Sequence, residues 1–429
     1  MRLGGRLAAA IEVLDDIARR HRPVADALKD WGLSHRFAGS GDRAAIGNIV
    51  YDALRRKRSA GWLFDAETPR ALGFGALLLE WKETPEGLNA ALDGDKFAPP
   101  PLTDDELRTA GTRRLADAPV EIRADCPDWC APLLEDAFGD DWIAEAAGLS
   151  ARPPLDLRVN TLKANRDRIL AELSGFGAAP TRLALDGIRI PPIDGSGRHP
   201  NVQAEPAFQK GWFEVQDEGS QAVSDLAGAA PGMQVLDYCA GAGGKTLALS
   251  AAMENKGQVF AYDSEKQRLA PIFDRLRRSD NRNVQVVSKV QDLAALEGQM
   301  DIVLIDAPCT GSGTWRRRPD AKWRLTQKQL DVRMAEQKAI LDAAKAYVKP
   351  GGRLVYITCS VFPAENTGQI GAFLGREPGF TPLDHQSLWE ENFPGRGDLA
   401  RIHRTHGISL TPAKSDTDGF YFAALTRAG

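Results

Sequence analysis

From residue 233 onward the chain repeats one pattern: a short apolar run, a glycine or acidic break, then a longer helical stretch. The apolar runs are MQVLDYC (233–239), QVFAYD (258–263), VQVVS (284–288), DIVLIDA (301–307) and RLVYIT (353–358). Residues 247–253, 265–277 and 327–347 between them carry helical spacing. Short strands alternating with helices predict an α/β domain built on a doubly wound parallel sheet. Such sheets bind ligands beyond the carboxyl ends of their strands, so the residues that close each run are the ones to weigh. The tail segments GISLTP (407–412) and DGFYFAALTR (418–427) read as extra strands at the sheet edge.

A chain of 429 residues is too long for one ordinary core, and two or three domains are expected. Residues 7–21 place Leu7, Ile11, Leu14 and Ile17 on one helical face, and 23–31 continue helical. A further helix starts at Ser40 or Asp42, with Ile46, Ile49, Val50 and Leu54 as its apolar stripe. Helical stretches broken by Pro and Gly run on to about residue 125, which predicts an all-α domain over 1–125. Residues 126–215 then read as a compact α+β segment: two short helices (126–149), a strand (155–159), a helix (166–173), and short strands at TRLAL (181–185) and IRIPP (188–192). The doubly wound domain occupies 216–429.

No apolar run approaches membrane-spanning length, so no membrane partner is expected. The N-terminus imitates a secretion signal until Glu12, Asp15 and Asp16 interrupt it. Five cysteines, few and odd in number, argue for free thiols in a reducing compartment, the cytoplasm. Cys126 and Cys130 have no second Cys/His pair at ligand spacing, so no metal is expected. A monomer is expected. The net charge of −4 does not advertise a nucleic-acid partner, but residues 1–60 hold 12 Lys+Arg against 7 Asp+Glu. A second basic cluster runs from Arg316 to Lys328.

The strand at 302–305 ends in Asp306, Pro308 and Cys309, and the strand at 353–358 ends in Cys359. Two thiols are thereby delivered to one edge of one sheet. The loop Cys239, Ala240, Gly241, Ala242, Gly243, Gly244, Lys245 lies between a strand and a helix start. Its glycines let backbone N–H groups approach a ligand. The phosphate-loop spacing fails because Cys239 stands where the first glycine is needed, and the dinucleotide pattern fails at Thr246. Asp263 ends the next strand, 20 residues after Gly243, where an acid takes ribose hydroxyls. Asp292 follows the third strand, near where an adenine would lie. Acids and glycines without a phosphate cradle suit S-adenosylmethionine, a cation at sulfur.

The stretches LDYCAGAGGKT (236–246), DAPCTGSGTWRRRPD (306–320), TCSVFPAEN (358–366) and DGFYFAAL (418–425) resemble the Nol/Nop/Sun family of RNA cytosine-5 methyltransferases. PPLDLRVNTLK (153–163) and FEVQDEGSQ (213–221) resemble the segment ahead of that family's catalytic domain. GDRAAIGNIVYDALRR (41–56) resembles the NusB-like helical domain of its bacterial ribosomal-RNA members. The resemblance implies a Rossmann-like class I methyltransferase domain that uses S-adenosylmethionine on RNA. It implies Cys359 as the nucleophile that adds to carbon 6 of cytosine, and Cys309 as the group that assists release. Asp306 would hydrogen-bond the cytosine amino edge and ring nitrogen 3. DNA cytosine-5 methyltransferases use the Pro-Cys thiol as nucleophile instead, which would exchange the two roles. Arg317, Arg318 and Lys322, beside Trp315 and Trp323, suit phosphate and stacking contacts with single-stranded RNA. Glu365 and Asn366 read most simply as a cap for the helix that follows, with a supporting role behind the site as the alternative, and Cys239 as packing. The NusB-like segment favours 16S ribosomal RNA. Transfer RNA is the alternative substrate, and a non-catalytic ribosome-assembly protein is the alternative class.

Overall fold

The computed structural model describes residues Met1–Gly429. Its contacts divide into two compact units, which do not follow single cuts of the chain. One is helical: Met1–Arg152, joined by Pro192–His199 and Trp315–Leu325. The other holds Pro153–Pro191, Pro200–Thr314 and Thr326–Gly429.

The helical unit is built on α1 (Leu3–Arg20), α2 (Val24–Ser34), α3 (Ser40–Arg55), α4 (Lys57–Phe64) and α5 (Pro69–Leu79). Leu7, Ala10, Val13 and Leu14 of α1 meet Ile46, Ile49 and Val50 of α3 and Phe74 and Leu77 of α5 in one core. The stripes expected at 7–21 and 46–54 are therefore its buried faces. α4 and α5 approach closely because Gly75 has no side chain: a Cβ there would fall 2.4 Å from that of Ala60. Buried Asp52 accepts from Trp81 Nε1 (3.0 Å) and Arg152 Nε (3.1 Å). Cys126 and Cys130 are buried here, and burial pushes the Cys126 thiol up to about 11 and Cys130 higher still. No group of three or more His, Cys, Asp or Glu is placed to hold a metal ion. No helix is long and apolar enough to cross a membrane.

The second unit contains two sheets. β1 (Leu155–Val159), β2 (Ala179–Pro180), β3 (Gly187–Ile190) and β4 (Phe213–Val215) form an antiparallel sheet in the order β2-β3-β1-β4. TRLAL, expected as a strand, is a loop instead. Leu185 is 74% exposed, and Thr181 Oγ1 turns back to Ala184 O at 2.9 Å. The strand that pairs there is the preceding Ala179–Pro180.

The larger sheet has β5 (Gln234–Asp237), β6 (Gln258–Tyr262), β7 (Val284–Val287), β8 (Met300–Asp306), β9 (Val348–Thr358), β10 (Phe380–Pro382), β11 (Arg401–Ile402), β12 (Ile408–Leu410) and β13 (Phe420–Arg427). Its order is β11-β12-β13-β9-β8-β5-β6-β7, with β10 also paired to β13. β5 to β9 are mutually parallel where they pair, and β13 runs antiparallel to β9. This is the doubly wound sheet expected from the alternation. Val303, Leu304 and Ile305 of β8 are fully buried, as two-sided coverage requires. The helix expected at 265–277 is broken at Pro271 into Lys266–Leu269 and Ile272–Ser279.

Candidate active site at the carboxyl edge of the parallel sheet

β8 and β9 are neighbours, so their carboxyl ends lie side by side, and each end carries a cysteine. The Ala307 N–H still donates to Ile357 O (2.9 Å), which carries the ladder one residue past the strand. The chain then turns through Pro308, whose carbonyl accepts from Gln337 Nε2 at 3.0 Å. The Gly313 N–H donates to Cys359 O at 2.9 Å and pins the second turn. The Cys309 and Cys359 Sγ atoms end 3.4 Å apart. The Cys309 thiol is held well above its usual range, first by its hydrogen bond to Cys359, then by burial and by the charges of Cys359 and Glu365. Either sulfur can donate in this contact.

Asp306, at the last position of β8, pairs with Lys245 Nζ at 2.6 Å. The Lys245 side chain is 7% exposed and that of Asp306 35%, so the carboxylate faces outward while its partner is covered. Lys245 Nζ also lies over the Phe420 ring, 5.3 Å from its centre. Lys245 therefore joins the glycine loop to the thiol edge, a link its position in the sequence does not announce.

The glycine loop turns at Gly241 and Gly243, both with positive φ, and Gly244 opens the helix Gly244–Ala252. A Cβ on Gly243 would fall 2.5 Å from Ile272 Cγ1, so glycine is required there. The Ala240 N–H donates to Tyr262 O (2.8 Å), and Ala242 O accepts from Arg275 Nη1 (2.9 Å). Asp263 is buried, and its two oxygens accept from the Gly241 and Glu265 N–H groups, each at 2.9 Å. Asp237 is fully buried at the end of β5, where Oδ2 accepts from Thr246 Oγ1 (2.6 Å) and Oδ1 has no partner. Burial is the main reason its carboxyl is pushed up to about 7. An orphaned buried oxygen beside a glycine-lined loop fits a bound group with a donor, such as the ammonium of S-adenosylmethionine. Residues 239–245 and Asp263 would hold it. Burial, then the acids Asp237, Asp263 and Asp306, raise the Cys239 thiol well above its usual range, which fits its reading as packing. Asp292 is exposed in the short turn Val290–Leu296 after β7.

The basic segment departs from expectation at Lys322. Its side chain is buried in the helical unit, and Nζ donates to Asp125 O, Ser150 Oγ (3.2 Å) and Arg55 O (3.5 Å). An ammonium so enclosed cannot meet a phosphate, so Lys322 is a structural hydrogen-bond centre. Burial lowers it to about 8. Trp315 and Arg316 are buried as well, and Trp323 Nε1 donates to Leu54 O at 2.7 Å. Arg317 is half-buried and Arg318 exposed.

Glu365 and Asn366 do not cap the helix Thr367–Arg376 with their side chains. Asn366 Oδ1 accepts from Thr358 Oγ1 (2.5 Å), and its Nδ2 donates to Ser360 O (2.9 Å). Fully buried Glu365 accepts from Thr310 N (2.9 Å), Thr310 Oγ1 (2.5 Å), Gln337 Nε2 (2.9 Å) and Ser360 Oγ. Sequence reasoning missed this network. Its one trace is the hydroxyl residue directly after each cysteine, Thr310 and Ser360.

The family model described as 16S rRNA methyltransferase RsmB/F matches residues 227–426. The ferredoxin-like domain of RsmF/B-like methyltransferases matches residues 126–192. Ribosomal RNA small subunit methyltransferase B of Pseudomonas putida is 34% identical over 310 residues, 71% of this chain and 67% of that protein. A related enzyme of the same description from Pseudomonas syringae is matched over 66% of its length, so the match spans about two thirds of such relatives. Among solved structures, PH0851 superposes with a TM-score of 0.72 at 24% identity, over 99% of this chain and 100% of that one. NSun6 from Pyrococcus horikoshii, solved with SFG, gives 0.60 at 21% identity over 71% of this chain and 98% of that one; both likenesses concern the fold. By the family-model match and the identity to its relatives, the chain belongs to the RsmB/F family of 16S rRNA methyltransferases.

Proposed function

We propose that this protein methylates carbon 5 of a cytosine in 16S ribosomal RNA through a covalent cysteine adduct. The observation that carries the reading is the thiol pair at 3.4 Å on the carboxyl edge of β8 and β9, beside Asp306. S-adenosylmethionine, when bound, supplies an electrophilic methyl group. Carbon 5 of cytosine is too weak a nucleophile to take it unaided. The Cys359 thiolate adds to carbon 6, which moves an electron pair onto carbon 5 as ring nitrogen 3 gains a proton. Asp306 is the group at the strand end suited to bonding nitrogen 3 and the amino edge. Carbon 5 then takes the methyl group, whose former bonding pair stays on the departing thioether sulfur, and becomes tetrahedral. A base removes the carbon-5 proton, its electron pair re-forms the ring double bond, the carbon–sulfur bond breaks to return the thiolate, and ring nitrogen 3 gives back the proton it gained. Cys309 assists that release. At 3.4 Å, a protonated Cys309 is within reach to donate its S–H to the thiolate that attack needs and release regenerates.

Residues 239–245 with Asp263, Asp292 and Asp306 are the cofactor-binding set of this reading. Arg317 and Arg318 are its RNA contacts, and the helical unit serves as an RNA-binding domain. The target base must leave any stack to reach the thiols.

The test is a denaturing gel of Cys309→Ala and Cys359→Ala protein incubated with 16S RNA, transfer RNA and S-adenosylmethionine. A covalent protein–RNA band for Cys309→Ala alone is expected, with 16S RNA, because addition proceeds while release fails. A band for Cys359→Ala alone would exchange the thiol roles, and capture of transfer RNA would change the substrate. No band and no methyl transfer by the unmutated protein would leave an RNA-binding assembly protein as the reading.

A further inference from the structure

Two loops must be held in register for two thiols to act on one base. Cys309 and Cys359 are 50 residues apart in the chain, and each sits on a turn past its strand rather than in the ladder. One side chain touches both turns. Glu365 takes the N–H and the hydroxyl of Thr310, directly after Cys309, on different carboxylate oxygens. Ser360, directly after Cys359, donates to the same oxygen as the Thr310 hydroxyl. Gln337 Nε2 fills the fourth place and with the same nitrogen holds Pro308 O, directly before Cys309. Tyr356 OH donates to the Glu365 carbonyl at 2.8 Å, which fixes the residue from below.

A buried carboxylate with four donors is fully satisfied, and no neutral side chain accepts from all four. We infer that Glu365 is a positioning residue that sets the separation of the two thiols by clamping the residue that follows each. The inference deepens the methyltransferase reading and rests on it only for its kinetic consequence. The Glu365 charge also counts among the influences that keep the Cys309 thiol protonated.

The separation can be read without RNA or cofactor. Diamide takes two electrons and two protons from a pair of neighbouring thiols and leaves them as a disulfide. Closure of the Cys309–Cys359 pair is followed by loss of thiol titre, in protein carrying Glu365→Gln. It is also followed in the Thr310→Val/Ser360→Ala double variant, which cuts the clamp from the other side. Closure about tenfold slower than in the unmutated protein is expected for both, with melting and S-adenosylmethionine binding retained. Methyl transfer to RNA should lose about 10²-fold in kcat, as for a reacting group displaced by about 1 Å, with KM for RNA within about twofold. A general loss of folding would instead lower melting and move KM with kcat. Unchanged closure and unchanged kcat in both variants would overturn the clamp. Slowed closure in a protein whose unmutated form does not methylate RNA would keep the clamp and remove the methyltransferase reading.

Discussion

The Cys309 and Cys359 Sγ atoms face each other at 3.4 Å, held by two turns that share the Gly313 to Cys359 backbone hydrogen bond. Two thiols so close will cross-link before any other pair in the chain. Mild oxidation should lower the titre of five free cysteines by two, and reductant should restore it. Serine at either position should abolish the paired loss. Oxidised protein should also lose methyl transfer, since no thiolate remains to add to the base. A thiol count before and after diamide, with peptide mapping of the linked pair, checks this.

Lys245 and Asp306 form the next contact, 2.6 Å between Nζ and Oδ2. With one oxygen so engaged, the other is left to meet a base. Lys245→Ala should lower kcat by about tenfold by loosening that orientation, and Asp306→Ala by about 10²-fold or more. In the double variant the losses should not add, because both act through one carboxylate. Single-turnover rates with saturating cofactor make the comparison.

Asp237 makes stability depend on pH. Its carboxyl is pushed up to about 7 in the folded chain against 3.8 for an ordinary aspartate. Between those values the unfolded chain has released this proton and the folded chain still binds it. The group therefore weakens folding as pH rises through about 4 to 7, and the effect levels off above that. Asp237→Asn removes the ionisation. Its melting temperature relative to the unmutated protein should rise across this window, by the equivalent of about 2–4 kcal/mol at pH 8. Thermal melts of the ligand-free proteins at pH 4.5 and 8 read the difference.

Lys322 and Arg318 separate folding from RNA binding. Removing the buried ammonium leaves the Asp125 and Arg55 carbonyls and Ser150 Oγ without it, and Lys322→Ala should cost about 3 kcal/mol. RNA affinity per folded molecule should be unchanged. Arg318 is exposed, so Arg318→Ala should leave melting as it was and reduce the salt dependence of RNA binding by about one phosphate. Melts and RNA titrations at two salt concentrations distinguish the pair.

The parallel sheet was legible because its strands are apolar runs closed by acids and glycines, a signal carried by neighbouring residues. The carboxyl-edge rule then places Asp306, Cys309 and Cys359 together from the sequence alone. TRLAL misled because alternation within five residues does not say whether Leu185 has anything to pack against, and it has not. Lys322 misled because a row of basic residues gives charge without depth, and only the fold reveals carbonyls around the ammonium. The partners of Glu365 were not legible for a third reason. Its donors, Thr310, Gln337 and Ser360, come from three separate stretches, and no local pattern marks their convergence.

Gly313, in the turn after Cys309, lies against Gly419, whose N–H donates to Gly313 O at 2.8 Å. A Cβ on Gly313 would fall 2.1 Å from Gly419 O, so neither neighbour leaves room for a side chain. Gly419 leads into β13, the last strand of the sheet, whose Tyr421 pairs in register with Thr358 just before the second thiol. During synthesis the ribosome therefore makes Cys309 about 110 residues, and Cys359 about 60 residues, before it makes the strand that seats them. Until that strand emerges and zips onto β9, the nascent chain holds two reactive sulfurs without a finished cradle. Competence waits for β13 to be made, after the rest of the sheet has had time to form.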